Sequence, residues 1–262
     1  MSNEMVYLPP LIPPTEEDEE EHNPDILENY IYKITTFTPD PIAKSNDLIC
    51  VAIYGDYQQL AYIRPTEDVT WTFVVGMEDV LIEDVVYFNH KFYAITYAGE
   101  LMCFNVTNPN LKLVAREIPK VDKEYFCQKK YLVEYGELVQ IQRFVVHTRS
   151  GFDPDTIKFK IFKWHFDGWL ETKNLDDAAF FLGDNSSISV LASNFVGCQG
   201  NCIYFTQDKD TLPLSLGDCG SRDLGAYNVE NGTLTTCFTI DTKIFPRLRK
   251  RPIWILPSLD MY

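Results

Sequence analysis

The sequence predicts an all-β protein whose short strands are grouped into the blades of a β-propeller. From Tyr30 onward, runs rich in Val, Ile, Phe, Tyr and Thr are broken by Gly, Asp, Asn and Pro, which are strand and turn signals. No long stretch keeps the spacing of an amphipathic helix. Similar groups of strands recur about every 60 residues. This period favours a propeller over a sandwich of two stacked sheets, which would also use short strands.

About 16 short strands are expected, three or four to each antiparallel meander. In chain order they cover residues 48–54, 60–64, 70–75, 85–88, 92–97, 101–106, 111–118, 131–135, 138–146, 157–166, 169–173, 178–182, 188–192, 202–206, 226–229 and 234–240.

One strand in each repeat has a recognisable pattern. The segments are "LMCFNV" (101–106), "FKIFKW" (159–164) and "LGAYNV" (224–229). In each, an aromatic residue stands two positions before a Val or Trp: Phe104, Phe162 and Tyr227. A further strand precedes and follows each segment. The three segments are therefore predicted to be equivalent strands of three blades.

The N-terminal segment, residues 1–29, differs from the rest of the chain. It holds nine acidic residues and no Lys or Arg, and residues 9–25 are also rich in proline. Like charges repel and proline blocks ladder pairing, so we expect a solvated arm with a candidate strand at 6–11. An acidic recruitment tail is the alternative. The predicted domains are this arm, 1–29, and a propeller region, 30–262.

Charge and composition exclude several classes of function. The net charge is −15, and an acidic body repels phosphate backbones, which disfavours nucleic-acid binding. No apolar run approaches the roughly 18 residues of a membrane span, and the first residues lack the pattern of a secretory signal. The seven cysteines are an odd number, so we expect reduced thiols in the cytoplasm or nucleus.

The cysteines of "GCQGNCIYFTQD" (197–208) are a candidate metal or redox site. A structural zinc needs four ligands, and Cys198 and Cys202 have no second close pair, since Cys219 and Cys237 are far apart. A redox pair has two intervening residues before a helix, whereas three residues separate this pair and a strand follows it. We therefore interpret the segment as a glycine-containing loop leading into a strand.

Other ionisable residues form no catalytic pattern in the sequence. The histidines stand apart from any nucleophile motif, and adjacent acids are typical of solvated turns. The histidines are His22, His90, His147 and His165, and the acid pairs are Glu78–Asp79, Glu83–Asp84, Asp153/Asp155 and Asp176–Asp177. "GDNSS" (183–187) is interpreted as a hairpin turn, and "RLRKR" (247–251) as a solvated loop rather than a nuclear address. No catalytic, cofactor-binding or metal-binding residue is predicted, and partner-binding residues are not assigned.

An ordered set of phrases resembles a plant family. The phrases are "VYLPPL" (6–11), "LAYIRPTEDVTWTFV" (60–74), "IEDVVYFNHKFYAI" (82–95), "FFLGDNSSISV" (180–190), "GCQGNCIYFTQD" (197–208), "LGAYNVENG" (224–232) and "RPIWILPSL" (251–259). Together they resemble the F-box-associated KIB-type β-propellers, first catalogued as domain of unknown function 295. The resemblance covers about residues 6–260. Its Gly and Asn positions look like turn formers and its aromatic positions like blade core.

The resemblance implies a propeller that captures a target protein while an N-terminal F-box docks on the Skp1-type adaptor of a cullin ubiquitin ligase. Nothing before "VYLPPL" could form an F-box, so we expect a truncated member that keeps a partial propeller of about four blades, with adaptor binding in question. The expected function is non-enzymatic protein–protein interaction without a cofactor, with the target unknown. The alternatives are a propeller-based hydrolase or glycan-processing enzyme, or a non-functional truncated member.

Overall fold

The computed structural model describes residues 7–12, 31–37, 48–55, 57–76, 80–118, 125–147, 154–166, 168–183, 187–206, 223–235 and 254. These residues form 17 strands and a single 3-10 turn at Ala192–Asn194. The chain divides into two compact units, Met1–Glu117 and Ile118–Tyr262. Each unit contains two sheets, which we number as blades 1 to 4.

Unit 1 holds two four-stranded antiparallel meanders whose strands follow one another in chain order across the sheet. Blade 1 consists of β1 (Ile31–Phe37), β2 (Ile49–Tyr54), β3 (Gln59–Ile63) and β4 (Thr72–Phe73). Blade 2 consists of β5 (Ile82–Phe88), β6 (Lys91–Thr96), β7 (Leu101–Asn105) and β8 (Asn108–Ala115). β1 lies outside the predicted strands, and its Lys33 occupies a buried position that the pattern would assign to an apolar residue.

Unit 2 holds a four-stranded and a five-stranded sheet. Blade 3 is an antiparallel meander of β9 (Phe126–Glu134), β10 (Leu138–His147), β11 (Pro154–His165) and β12 (Gly168–Thr172). Blade 4 consists of β13 (Ala178–Leu182), β14 (Ser187–Leu191), β15 (Cys202–Phe205), β16 (Gly225–Asn228) and β17 (Leu234–Thr235).

Blade 4 departs from the predicted meander at one place. Its strand order is β14-β13-β15-β16-β17, and β13 pairs with β15 in parallel. After the β13–β14 hairpin, the chain returns through residues 192–201 to the other side of β13. The predicted strands therefore exist, but β14 is an added edge strand rather than a step in the meander.

The inner strand β2 is buried on both faces, which explains why it is continuously apolar rather than alternating, whereas outer strands such as β8 and β12 are largely exposed. In β2, all six positions are buried. One face of blade 1 contributes Val51 and Tyr62 to a core shared with Phe92 and Phe104 of blade 2. The opposite face of blade 1 has its own core around Trp71. In unit 2, a corresponding core lies between blades 3 and 4.

The aromatic repeat found in the sequence marks equivalent strands of the blades. Phe104 lies in β7, Phe162 in β11 and Tyr227 in β16, and all three are buried. Phe104 and Tyr227 belong to the cores between blades. In β11, however, the ring that packs against Tyr227 is that of Phe159, at 5.4 Å between centroids. Phe162 is three positions further on and therefore points to the other face of the sheet.

The segment 7–12 packs on unit 1 without forming a strand over its described residues. The indole N–H of Trp71 donates a hydrogen bond to the carbonyl of Pro9 at 2.9 Å. Leu11 is buried in the same core as Trp71, with Leu8 packed against it. Residues 7–11 of the candidate strand at 6–11 therefore form no strand, and side-chain contacts hold them against unit 1 instead. The acid-rich residues 13–30 lie outside the described residues.

In each unit a buried cation and a carboxylate connect neighbouring blades, with the carboxylate fully buried in unit 1 and partly buried in unit 2. In unit 1, the ammonium group of Lys33 in β1 donates to the carboxylate of Asp84 in β5. The backbone N–H of Val85 donates to the same carboxylate oxygen at 2.7 Å. Charges removed from water need such partners, because an uncompensated buried charge is strongly unfavourable.

In unit 2, the connection is built around Arg143 of β10, which is 1% exposed. Its guanidinium donates to the hydroxyls of Thr156 at 2.7 Å and Tyr131 at 3.2 Å. It also donates to the Thr206 carbonyl at 2.8 Å and to the Asp223 carboxylate at 2.7 Å, both from blade 4 segments. The backbone N–H and hydroxyl of Thr156 donate to that same carboxylate.

Gly225 corrects the prediction that the motif glycines form turns. It lies inside β16, and a Cβ atom there would stand 2.9 Å from the carbonyl oxygen of Thr235 and 3.1 Å from the ring of Phe205. Close packing, rather than a turn, therefore requires glycine. Asn228 does form a turn, because its side-chain oxygen accepts the backbone N–H groups of Glu230 and Asn231.

We predict that Arg143→Ala lowers the free energy of unfolding by about 3–5 kcal/mol, because it leaves the Asp223 carboxylate buried without its cation. Urea unfolding of the whole chain, followed by tryptophan fluorescence, measures this. The matched control is Lys163→Ala in the adjacent strand β11. Lys163 and its partner Glu137 keep 24% and 31% of their side chains exposed, so this change costs less than about 1 kcal/mol. Equal losses in the two variants would contradict the prediction.

We predict that Gly225→Ala lowers the free energy of unfolding by about 1–3 kcal/mol, because the added methyl group overlaps the backbone of β17. The same urea titration measures it. Ala226→Gly at the next position is the control, and its expected cost is at most about 1 kcal/mol, from backbone entropy alone. A Gly225→Ala variant as stable as the parent chain would show that β17 is not held against β16.

Candidate functional site

An open cleft of about 190 Å³ lies in unit 2 between blade 3 and blade 4. Its floor consists of buried apolar side chains, Phe159, Ile161, Tyr227 and Val229. Its rim consists of polar and charged residues: Lys160, Glu171, Thr172 and Lys173 on one side, and Glu230, Asn231 and Gly232 on the other.

Two local structures shape the rim. On one side, the β11–β12 hairpin has a two-residue loop and places Glu171 and Thr172 opposite Phe162 and Ile161. On the other side, the turn after β16 is closed by side-chain hydrogen bonds. The side-chain oxygen of Asn231 accepts the backbone N–H and the hydroxyl of Thr233. Gly232 follows with φ +70°, a conformation that favours glycine.

The Tyr227 hydroxyl lies at the boundary between the two blades. Burial raises the pKa of this hydroxyl, while its hydrogen bond with the Phe159 backbone and the charge of Lys158 oppose the shift. The hydroxyl is therefore neutral at physiological pH and serves as a structural hydrogen-bonding group. It bonds to the part of the β11 edge that lies beyond the end of β12, since β12 pairs only with residues 161–165.

The cleft combines an apolar floor with a charged rim. An apolar floor surrounded by charged side chains matches the core-and-rim arrangement of protein interfaces. Its volume is smaller than the roughly 300–1,000 Å³ of typical small-molecule sites. The cleft can therefore accept a side chain of a partner protein more readily than a whole small molecule.

A second partly exposed surface lies on the face of blade 4 opposite the core shared with blade 3. The rings of Phe181 and Tyr204 stack with centroids 4.7 Å apart, and Trp254 packs edge-on against Phe181 at 4.9 Å. The indole N–H of Trp254 donates to the carbonyl of Leu182 at 2.9 Å. Trp254 comes from the phrase "RPIWILPSL", and this residue of the phrase packs on the sheet.

The structure separates the roles of the two cysteines examined in the sequence. Cys202 begins β15 and is buried, which confirms the predicted strand. Cys198 lies in the preceding loop, and burial raises the pKa of its thiol, which opposes formation of a reactive thiolate. Gly197 in that loop has φ +84°, as a turn-forming glycine does. Within the described part of the chain, no group of three or more His, Cys, Asp or Glu residues could hold a metal ion; Cys219 and Cys237 lie outside that part.

The histidines occupy strand ends and turns. His90 forms the tight β5–β6 turn, with φ +62°, as the sequence predicted. His147 pairs with Pro154 and His165 with Gly168, which places them at opposite ends of β11. His22 lies outside the described residues.

The acid pairs have different environments, and one interpretation was wrong. Asp84 is not a solvated turn residue, because it lies inside β5 and is buried against Lys33. Asp176 is in a turn, with φ +54°, and Asp177 accepts hydrogen bonds from the backbone and hydroxyl of Ser193. Residues 78–79, 153, 184–186 and 247–251 lie outside the described part. Sequence reasoning missed Arg143 and Lys33 as well, since single basic residues inside strands give no motif.

The sequence of this chain is similar to those of several known proteins. The chain is 29% identical over 199 residues to the F-box protein At4g35733 of Arabidopsis thaliana, covering 72% of this chain and 53% of that protein. It is 25% identical over 181 residues to the F-box protein SKIP23 of the same plant, covering 64% and 44%. The F-box protein At2g17036 is 28% identical over 189 residues, covering 68% and 46%. The chain thus spans about half the length of these curated relatives.

No solved structure matches the chain. None of the helices in the described part is long and apolar enough to cross a membrane. The family model of the KIB1-4 β-propeller matches residues 1–228, which include all of blades 1 to 3 and most of blade 4. The predicted fold class, an all-β propeller with four sheets as blades, is confirmed. The chain belongs to the KIB1-4 β-propeller family.

Proposed function

We propose that this chain is a non-enzymatic protein-binding module that recognises a target protein, as the propeller half of an F-box protein would. The observations that carry the proposal are the family match over residues 1–228 and the similarity to relatives that are F-box proteins.

The cleft of unit 2 supports this proposal by its chemistry. Lys160, Lys173, Glu171 and Glu230 place charges of both signs around an apolar floor. Charges of both signs on the rim favour a partner with complementary charges and disfavour partners that bring like charges together. We assign the cleft as the recognition site.

The proposal predicts a specific partner whose binding depends on the cleft. Tagged whole chain is used to isolate proteins from plant cell extract, and each candidate is then produced pure and titrated calorimetrically. The double variant Lys173→Ala/Glu230→Ala lowers the affinity by about tenfold or more, because both rim charges lose their partners. The control Lys163→Ala, on β11 but outside the cleft lining, binds as the parent chain does.

The proposal fails if the correctly folded chain retains no protein that binds again as a pure component. A partner that binds the parent chain and the double variant equally would leave the binding function standing and would remove the cleft as its site.

Ligase assembly is a separate question. Co-expression of residues 1–262 with a Skp1-type adaptor, followed by size-exclusion chromatography, tests this question. Co-elution of the two proteins would show that this chain itself docks on the adaptor.

A further inference from the structure

The outer edge of β12 is open in the described part of the chain. The order β12-β11-β10-β9 makes β12 the outermost strand of blade 3, and its ladder partner is β11 alone. No described strand pairs with its other side. Leu170, in the middle of the strand, is 58% exposed. An open edge of this kind is a template for another strand.

The hairpin register determines which backbone groups point to the open edge. The two-residue loop makes His165 and Gly168 a hydrogen-bonded pair, and such pairs alternate along an antiparallel ladder. Leu170 and Thr172 therefore bond to β11, whereas the N–H and C=O groups of Trp169 and Glu171 point outward. The N–H of Tyr135 donates to the carbonyl of Glu137, so these residues are a hydrogen-bonded pair at the β9–β10 turn. Counting alternate pairs from that turn through β10 to β11 gives the same assignment of outward groups.

The same edge is already closed by side chains where β12 ends. The Tyr227 hydroxyl hydrogen-bonds the Phe159 backbone, and the Asp223 carboxylate accepts the backbone N–H of Thr156. Blade 4 thus protects the uncovered half of β11, but no corresponding group among the described residues protects Trp169 and Glu171. On this side of blade 3, the edge of β12 is therefore left without such a cover by the described residues.

The open edge leads directly into the cleft. Glu171, whose backbone N–H and C=O groups point to the open edge, also lies on the rim of the cleft together with Thr172 and Lys173. A strand laid along β12 would form backbone hydrogen bonds with Trp169 and Glu171. Its side chain at the end of β12 would then lie over the apolar floor, between Lys173 and Glu230.

We propose that β12 accepts an extended segment of the target protein as an additional edge strand. This inference rests on the proposed function and specifies its binding mode. The segment carries an apolar residue that fills the cleft, with an acidic residue facing Lys173 and a basic residue facing Glu230 placed two positions to either side, since alternate residues of a strand share a face. Backbone hydrogen bonds supply affinity, and the cleft supplies selectivity, as in other cases of strand addition.

The test uses the whole chain and a peptide probe. Random 12-residue peptides are selected by display against the chain, and the tightest is synthesised with a fluorescent label. Glu171→Pro removes an outward N–H without removing a bond to β11, and proline is tolerated on edge strands. We expect it to weaken peptide binding by about tenfold or more in fluorescence anisotropy. The comparison variant Glu171→Ala loses the same rim carboxylate but keeps the N–H, and it binds the peptide more tightly than Glu171→Pro does.

Hydrogen exchange on the unaltered chain gives a second readout that does not depend on the fold of a variant. The peptide slows exchange of the amides of Trp169 and Glu171 if it adds to β12. Protection confined to other segments, or equal binding by Glu171→Pro and the parent chain, overturns the proposal. Protection of these amides without peptide, rising with protein concentration, would identify a second copy as the occupant and also overturn it.

The two proposals fail separately. If a purified target binds the parent chain and Glu171→Pro equally, strand addition is wrong and the protein-binding function stands. If no target and no peptide binds the folded chain, the proposed function fails as well.

Discussion

Burial of both sheet faces is the constraint on which the rest of this structure depends. A sheet exposed on one face alternates apolar and polar residues, but a blade packed on both faces needs apolar residues at successive positions. This requirement explains the continuous burial of β2 and the two separate cores that flank blade 1. As a result, polar side chains and backbone groups reach solvent at the strand edges and the turns. The cleft is one of these places.

The same constraint explains the placement of the buried charges. A polar side chain inside a two-sided sheet must find its partner within the protein. Lys33 and Arg143 do so by reaching carboxylates associated with the neighbouring blade, Asp84 and Asp223. Hydrogen bonds are directional, whereas apolar contacts are not, so these pairs specify the register of one blade against the next within each unit. The packed interface between two blades of a unit therefore has one defined register.

Much of the fold could be predicted from the sequence because strands and tight turns are local. The equivalence of the strands containing Phe104 and Tyr227, the strand after Cys198, and the turn at His90 all rest on short patterns. The long-range features could not be predicted. The buried role of Asp84, the packing requirement at Gly225 and the side of β13 on which β15 lies depend on residues distant in sequence. The cleft likewise combines two hairpins that no motif connects.

The parallel pairing of β13 with β15 has a consequence for how blade 4 folds. In blades 1, 2 and 3, each strand pairs with the next one along the chain, so every addition closes a loop between consecutive strands. In blade 4, β15 pairs with β13 only after the chain has passed through β14 and residues 192–201. Closing a longer loop costs more conformational entropy, and contacts distant in sequence form more slowly. Blade 4 therefore cannot grow one hairpin at a time, because β15 must pair with a strand that the chain left before β14.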